Sequence, residues 1–169
     1  MRAGLKNVLK NLEFPARFIN SILQGKLLAA GVEFQRFLVN SILGLGGFFN
    51  VTKDKKTIVP VDEEGEDFGQ TLGVWGFGPG IYLVWPILGP STVRDTAGMA
   101  GDYLTDPLLF VPGTTSTTDT VSLVAWVGLR VNDAGDTLDR YEGLKKMAVD
   151  PYSAMRDGYV KRRKARIAQ

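Results

Sequence analysis

The residues able to do chemistry are few, and their types exclude a great deal. The 169-residue chain contains no cysteine and no histidine. Zinc sites of the common kind need such ligands. Ser-His-Asp and Cys-His catalysis, and any histidine-based proton transfer, need them too. Carboxylates, arginines and glycines remain. Asp54, Asp62, Glu63, Glu64 and Glu66 share one stretch and carry the charge for a divalent cation, but they lack EF-hand spacing. A solvated acidic loop is the simpler reading. Gly76, Gly78 and Gly80 alternate in GFGPG without the G-x-G-x-x-G spacing or the Gly-Lys-Ser/Thr ending of a phosphate loop. Turns and close backbone approach explain them better. No carboxylate pairs with a nucleophile in a recognisable arrangement. The chain therefore does not read as an enzyme, and neither a metal nor another cofactor is expected.

Arg94 and Asp95 stand out because of what precedes them. From Phe68 to Val93 no residue is charged. That run is long enough to cross a bilayer as a helix, which takes about 20 residues. Yet Gly69, Gly73, Gly76, Gly78, Gly80, Gly89, Pro79, Pro86 and Pro90 interrupt it. Irregular backbone is tolerated at membrane depth only when it is buried in protein or lines a cavity. Two readings follow. The run lines a greasy passage inside a ring of helices, or IYLVW is a buried strand between turns of an ordinary soluble domain. Arg94 and Asp95 divide the same way. An arginine fork suits a lipid phosphate at the mouth of a passage, while a surface ion pair at a helix start is the plainer alternative.

The surrounding elements read mostly as helices. Leu5, Val8, Leu9 and Leu12 follow helical spacing, with polar residues opposite. Pro15 suits the start of a second helix and Gly25 its C-terminal cap. A third helix is expected over Leu27 to Leu43, with Phe34, Phe37, Leu38 and Ile42 on one side. Lys53 to Asp67 reads as an exposed loop. DFGQTLGVWG is expected as a short helix with Asp67 at its positive end. Ser91 is the expected N-cap of the next helix, with Arg94 and Asp95 in its first turn. A polar stretch, PGTTSTTD, precedes a long helical segment, apolar all round from Val121 to Leu129 and amphipathic to Met147. Asp150-Pro151 marks a final helix ending in Lys161, Arg162, Arg163, Lys164 and Arg166, read as a solvated basic end.

Formal net charge is +2, so no global field favours nucleic acid. Without cysteine, residue usage does not report the redox compartment. The N-terminus lacks a continuous apolar stretch and a cleavage site, so it reads as cytoplasmic or as a chain whose start is missing.

INSILQGK (Ile19 to Lys26), RFLVNSILGLGGFFNV (Arg36 to Val51), EDFGQTLGVWGFGPGIYLVWPILGPSTVRD (Glu66 to Asp95) and DPYSAMRDGYVKRR (Asp150 to Arg163) together resemble the MlaA (VacJ) family of outer-membrane lipoproteins. The resemblance implies an all-α fold: a ring of amphipathic helices in the membrane with an irregular Gly/Pro-rich channel-lining segment. It implies removal of mislocalised phospholipids from the outer leaflet of the outer membrane through an amphipathic channel. Implied partners are phospholipid, the membrane, a trimeric porin and a periplasmic lipid-carrier protein, with no nucleic acid. The implied location is the outer membrane, in its periplasm-facing inner leaflet. The lipid path then falls on Gly73, Trp75, Gly76, Gly78, Gly80, Tyr82, Leu83, Trp85, Pro86, Gly89 and Ser91, with Arg94 and Asp95 as headgroup contacts. The family pattern opens with a signal peptide, a lipidated cysteine and an Asn- and Phe-rich segment, which this sequence does not show. A single MlaA-like domain over residues 1–169 is expected without them. A soluble helical interaction domain is the alternative from another class. A small lipid hydrolase is a further one, disfavoured by the missing His and Cys.

Overall fold

The computed structural model describes residues 2–52, 65–86, 88–105 and 150–169. The expected loop over 53–64, the polar stretch from Pro112 and the expected long helix over 121–147 lie outside the described residues.

Three helices open the chain: α1 (Arg2–Leu12), α2 (Phe14–Leu23) and α3 (Leu27–Ile42). Pro15 sits in the first turn of α2, where a missing N–H costs nothing. Gly25 ends that helix with φ +75°. Its N–H bonds Ile22 O at 2.9 Å, and the Lys26 N–H bonds Ser21 O at 2.9 Å. This paired closure satisfies the last carbonyls and needs a left-handed residue. The tight turn lets α3 fold back on α2. Phe14 stacks on Phe37 with ring centroids 4.4 Å apart, and Phe18 and Phe34 complete the cluster.

Next come α4 (Phe68–Val74), a hairpin of β1 (Tyr82–Trp85) and β2 (Gly89–Thr92), then α5 (Val93–Leu104) and α6 (Pro151–Ile167). The strands pair antiparallel, Tyr82 opposite Thr92 and Trp85 opposite Gly89. Among the described residues the fold is thus mostly helical, in line with the expectation, and adds to it a small two-stranded sheet. The reason is local. YLVW favours extended backbone, and Pro86 and Gly89 (φ +78°) turn the chain between the strands. A strand does form within IYLVW, but only Tyr82 of it is buried; Val84 and Trp85 are exposed.

The N-cap of α5 is Thr92, whose hydroxyl accepts from the Asp95 N–H at 3.2 Å. The expected cap, Ser91, is one residue early. It belongs to β2 and turns its Oγ to Thr96, 3.1 Å away. Asp67 and Asp150 cap α4 and α6 as expected. Helix α4 crosses α5 at two glycines: a Cβ on Gly98 would lie 2.5 Å from Gly69 Cα. Helix α6 packs on α4 and β2.

The distribution of polarity is inverted among the described residues. Among the described residues, the side chains with the least exposure are Gln70, Glu33, Asn20, Thr71, Thr92, Ser21 and Ser91, all polar. The buried hydrophobics are Ala30, Val32 and Tyr82. Leu27, Leu28, Ile42, Leu43, Leu45, Phe77, Ile81 and Leu104 are each at least 60% exposed. No described helix is long and apolar enough to cross a membrane.

Candidate functional site

A buried ionic and hydrogen-bonded network sits where α2, α4, α5 and α6 meet, beneath the hairpin. Its centre is Arg163. The guanidinium donates to Asp67 through Nη1 at 2.6 Å and Nη2 at 2.8 Å. It also donates to Asp95, through Nη2 at 2.9 Å and Nε at 3.2 Å. Arg94 donates to the same Asp95 Oδ1 through Nε (3.0 Å) and Nη2 (2.8 Å). Tyr159, one turn before Arg163 on α6, donates its hydroxyl to Asp95 Oδ2 at 2.8 Å. Gly69 makes this possible: a Cβ there would lie 2.8 Å from both Arg163 Nη2 and Asp95 Oδ1.

The electrostatics follow from burial opposed by pairing. Burial alone would raise the Asp95 pKa. The charge and hydrogen bonds of Arg163, then the bonds from Arg94 and Tyr159, outweigh it and hold the carboxyl below its ordinary value. Asp67 behaves the same way, with Arg163 again the main opposing partner and Gln70 adding hydrogen bonds. Tyr159 is pushed well up by burial and by the neighbouring Asp95, so its hydroxyl remains a donor. Arg163 stays protonated throughout: burial opposes its charge, and its two carboxylates more than compensate.

A neutral arm extends the network. Asn20 donates to Asp102 Oδ1 at 2.9 Å and accepts from Thr71 Oγ1 at 2.8 Å. Gln24 donates to Thr71 Oγ1 at 3.1 Å. Asp102 also accepts the Phe68 N–H at 2.9 Å. These bonds fasten α2 to α4 and α5 through polar groups. Among the described residues the arrangement pairs its charged groups, leaves Gln24 Oε1 buried without a partner and holds no nucleophile poised beside a base. Its chemical capacity is to fix positions.

Above it, the neutral run splits into two faces. Trp75, Gly76, Phe77, Gly78, Pro79, Gly80, Ile81, Val84, Trp85 and Pro86 are exposed. Tyr82 and Ser91 are buried, and Leu83, Gly73 and Gly89 are intermediate. Gly73 lies against the network, since a Cβ there would come within 3.0 Å of Arg94 Nη1. The side chains of Arg94 and Asp95 are only 6% and 3% exposed. Sequence reasoning placed these two in the right helix turn and beside each other. It missed Arg163, Tyr159, Asp67 as an ion-pair partner, Asn20 and Thr71. The i, i+4 spacing of Tyr159 and Arg163 was the available signal, hidden inside a basic run that resembles a solvated helix end. Arg163 and Arg166 are in fact buried.

Comparison with known proteins places this architecture. Residues 1–166 match the model of the MlaA lipoprotein family. The "Intermembrane phospholipid transport system lipoprotein MlaA" of Escherichia coli is 36% identical over 161 residues, covering 95% of this chain and 61% of the relative. Its Haemophilus influenzae counterpart is 33% identical, covering 93% and 60%. The chain thus spans about 60% of the length of these curated relatives. A solved structure described under "Structural basis for maintenance of bacterial outer membrane lipid asymmetry" superposes with a TM-score of 0.73 at 31% identity, covering 99% of this chain and 80% of that one. The chain belongs to the MlaA lipoprotein family.

Proposed function

We propose that the protein takes part in phospholipid transport at the Gram-negative outer membrane, lifting mislocalised phospholipids out of the outer leaflet and passing them to a periplasmic carrier. The observation that carries the reading is the inverted polarity. Water penalises exposed apolar surface at roughly 25 cal/mol per Å², so broad apolar faces over a polar interior suit a lipid solvent. Because no described helix is long and apolar enough to cross a membrane, the helices would lie in one leaflet with their apolar faces in the acyl region. A ring of helices in that leaflet, beside a trimeric porin, is part of the same proposal. The names of the relatives, which concern intermembrane phospholipid transport, support it.

On this reading the lipid path runs along Trp75, Gly76, Gly78, Gly80, Leu83, Trp85, Pro86 and Gly89. Their neutral surface suits acyl chains. Tyr82 and Ser91 serve it by seating the hairpin, and Gly73 by leaving room for Arg94 and Ile167 beneath. Arg94 and Asp95 form the floor, and Arg94 would meet a headgroup through Nη1, because its Nε and Nη2 are held by Asp95. Transfer of this kind breaks no covalent bond and needs no catalytic residue.

The test is native mass spectrometry of the protein in mild detergent, with lipid extraction of the same sample. Phospholipid should co-purify. It should be lost in an Ile81→Glu/Val84→Glu variant whose helical content by circular dichroism is unchanged, because both side chains are exposed. A chain that is soluble without detergent and free of lipid would overturn the reading and favour a protein-docking module.

A further inference from the structure

A second polar feature lies away from the ionic network, between α1, α3 and the turn that follows α3. It is a cavity of about 40 Å³, lined among others by Lys10, Arg17, Arg36, Asn7, Asn11 and Asn40, with no carboxylate in its wall. One water needs about 10–15 Å³, so the space fits roughly three waters or one tetrahedral oxyanion.

The walls are fixed before any ligand arrives. Glu33, 1% exposed, holds Arg17 Nε at 2.8 Å and Arg36 Nη1 at 3.4 Å from outside the cavity lining. Arg17 Nη1 donates to Lys10 O at 2.7 Å. That contact matters for sign, because the carbonyl end of α1 would otherwise repel an anion. Asn11 is clamped by Ser41 Oγ at 2.9 Å and Gly46 O, and Asn7 by Phe48 O at 3.2 Å. Among the described residues the Lys10 ammonium has no ion-pair or hydrogen-bond partner. Three cations, one of them unpaired, therefore face a small space walled by amides. Glu33, and Glu13 at 3.8 Å from Arg17 Nη1, offset two positive charges from outside the lining, and the Lys10 charge leaves the cavity electropositive.

We infer that this cavity is a binding site for a phosphate-type oxyanion, with Lys10 as its open charge, Arg17 and Arg36 as its fixed forks and the second amide N–H groups of Asn7 and Asn40 as neutral donors, the Asn11 N–H groups being held by Ser41 and Gly46. Charge-assisted bonds from a preset fork are the strongest of this class. Two sources carry the same chemistry: the diester of a lipid headgroup and free phosphate. The first would deepen the lipid-transport reading and rests on it; the second stands without it.

Isothermal titration calorimetry on the full chain in mild detergent tests the site with two soluble probes, inorganic phosphate and glycerophosphoglycerol. The wild type should bind at least one saturably. Lys10→Gln should weaken that binding at least tenfold, and Lys10→Arg should restore most of it. Lys161→Gln, at an exposed position on α6, should bind as wild type does. Preference for the diester identifies a headgroup source, and preference for phosphate a free-anion source. No saturable binding of either probe, or equal weakening by Lys10→Gln and Lys161→Gln, overturns the site. Loss of the site with lipid co-purification intact sinks this inference alone, because the lipid reading is tested at the hairpin instead.

Discussion

Arg163→Met is the perturbation that most directly tests how this fold is held. The substitution keeps an unbranched, helix-compatible stem and removes the guanidinium from between Asp67 and Asp95. Two carboxylates then share a pocket in which only Arg94 remains as a cation. Asp95 carries most of the cost, since its side chain is 3% exposed. Asp67 keeps 36% of its side-chain surface in solvent, so its share is screened and small. Removing one partner of a buried pair costs about 3–5 kcal/mol. For a chain of this size each kcal/mol lowers the thermal midpoint by about 2–4 °C. A drop of about 6–20 °C is expected by thermal-scanning tryptophan fluorescence in detergent.

The pH dependence gives a second, independent reading. In the wild type the Asp95 pKa lies below its ordinary value of 3.8. The stabilisation from that shift is fully present above 3.8 and is lost as pH falls from there through the folded pKa. Wild-type stability should therefore decline on acidification below about pH 4. In Arg163→Met the main opposing cation is gone and only Arg94 and Tyr159 still counter burial, so the decline of the midpoint on acidification should be shallower than in the wild type. Asp95→Asn combined with Arg163→Met should not recover the loss, because Arg94, 6% exposed and paired with Asp95, is then left as a buried cation without its partner. A drop of less than about 2 °C in the single variant, or an acid slope equal to that of the wild type, would refute the assignment of Arg163 as the central tie.

Three further outcomes follow from the same geometry. Gly69→Ala forces a methyl group to within 2.8 Å of Arg163 Nη2 and Asp95 Oδ1; overpacking costs about 1–3 kcal/mol, and chemical unfolding should show it, with Gly78→Ala nearly silent because nothing lies within 4 Å there and its backbone is not left-handed. Thr92→Ala should destabilise by about 1 kcal/mol through loss of the α5 cap, while Thr92→Ser should be close to neutral; equal effects of the two would remove Thr92 from that role. Arg94→Ala should reduce phospholipid transfer between labelled vesicles while α6 still docks through Arg163, and transfer at the wild-type rate would dismiss a headgroup contact at Arg94.

Local signals in the sequence were strong where one residue type decides the outcome. Gly25, Pro15, Asp67 and Asp150 each fix a helix end by backbone geometry or a single hydrogen bond, and each sits where its type predicts. The cap of α5 slipped by one residue because Ser91 and Thr92 are chemically alike. The strand register pairs both, Ser91 with Leu83 and Thr92 with Tyr82; Thr92, as the last residue of β2, adjoins the helix and accepts the Asp95 N–H. The network was out of reach for a different reason. Asp67, Asp95 and Arg163 are separated by 28 and 68 positions (95 − 67 and 163 − 95). The i, i+4 spacing from Tyr159 alone sets Arg163 apart locally from its four basic neighbours, and that spacing does not say what the pair faces. Only the docking of α6 on α4, through the space left at Gly69, selects it.

That selection bears on why the interior is polar at all. Mean hydropathy of the chain is zero, so composition permits either a greasy core in a polar coat or the reverse. In water the first arrangement wins, because burying apolar surface is the main driving force. In lipid that force between helices vanishes, and association depends on close packing and interhelical hydrogen bonds. The contacts between α2, α4, α5 and α6 have this second character. Two glycines bring α4 and α5 together at Gly69 and Gly98, Asn20, Thr71 and Gln24 bond α2 to α4, and Arg163 ties α6 to both aspartates. Meanwhile Leu27, Leu28, Ile42 and Leu43 turn outward. A protein held this way gains little from water and much from an apolar solvent that leaves its hydrogen bonds uncontested. Transfer from detergent to detergent-free buffer should therefore cause aggregation through the outward leucines while the α4–α6 network, measured by hydrogen exchange at the Gln70 and Thr71 amides, stays protected.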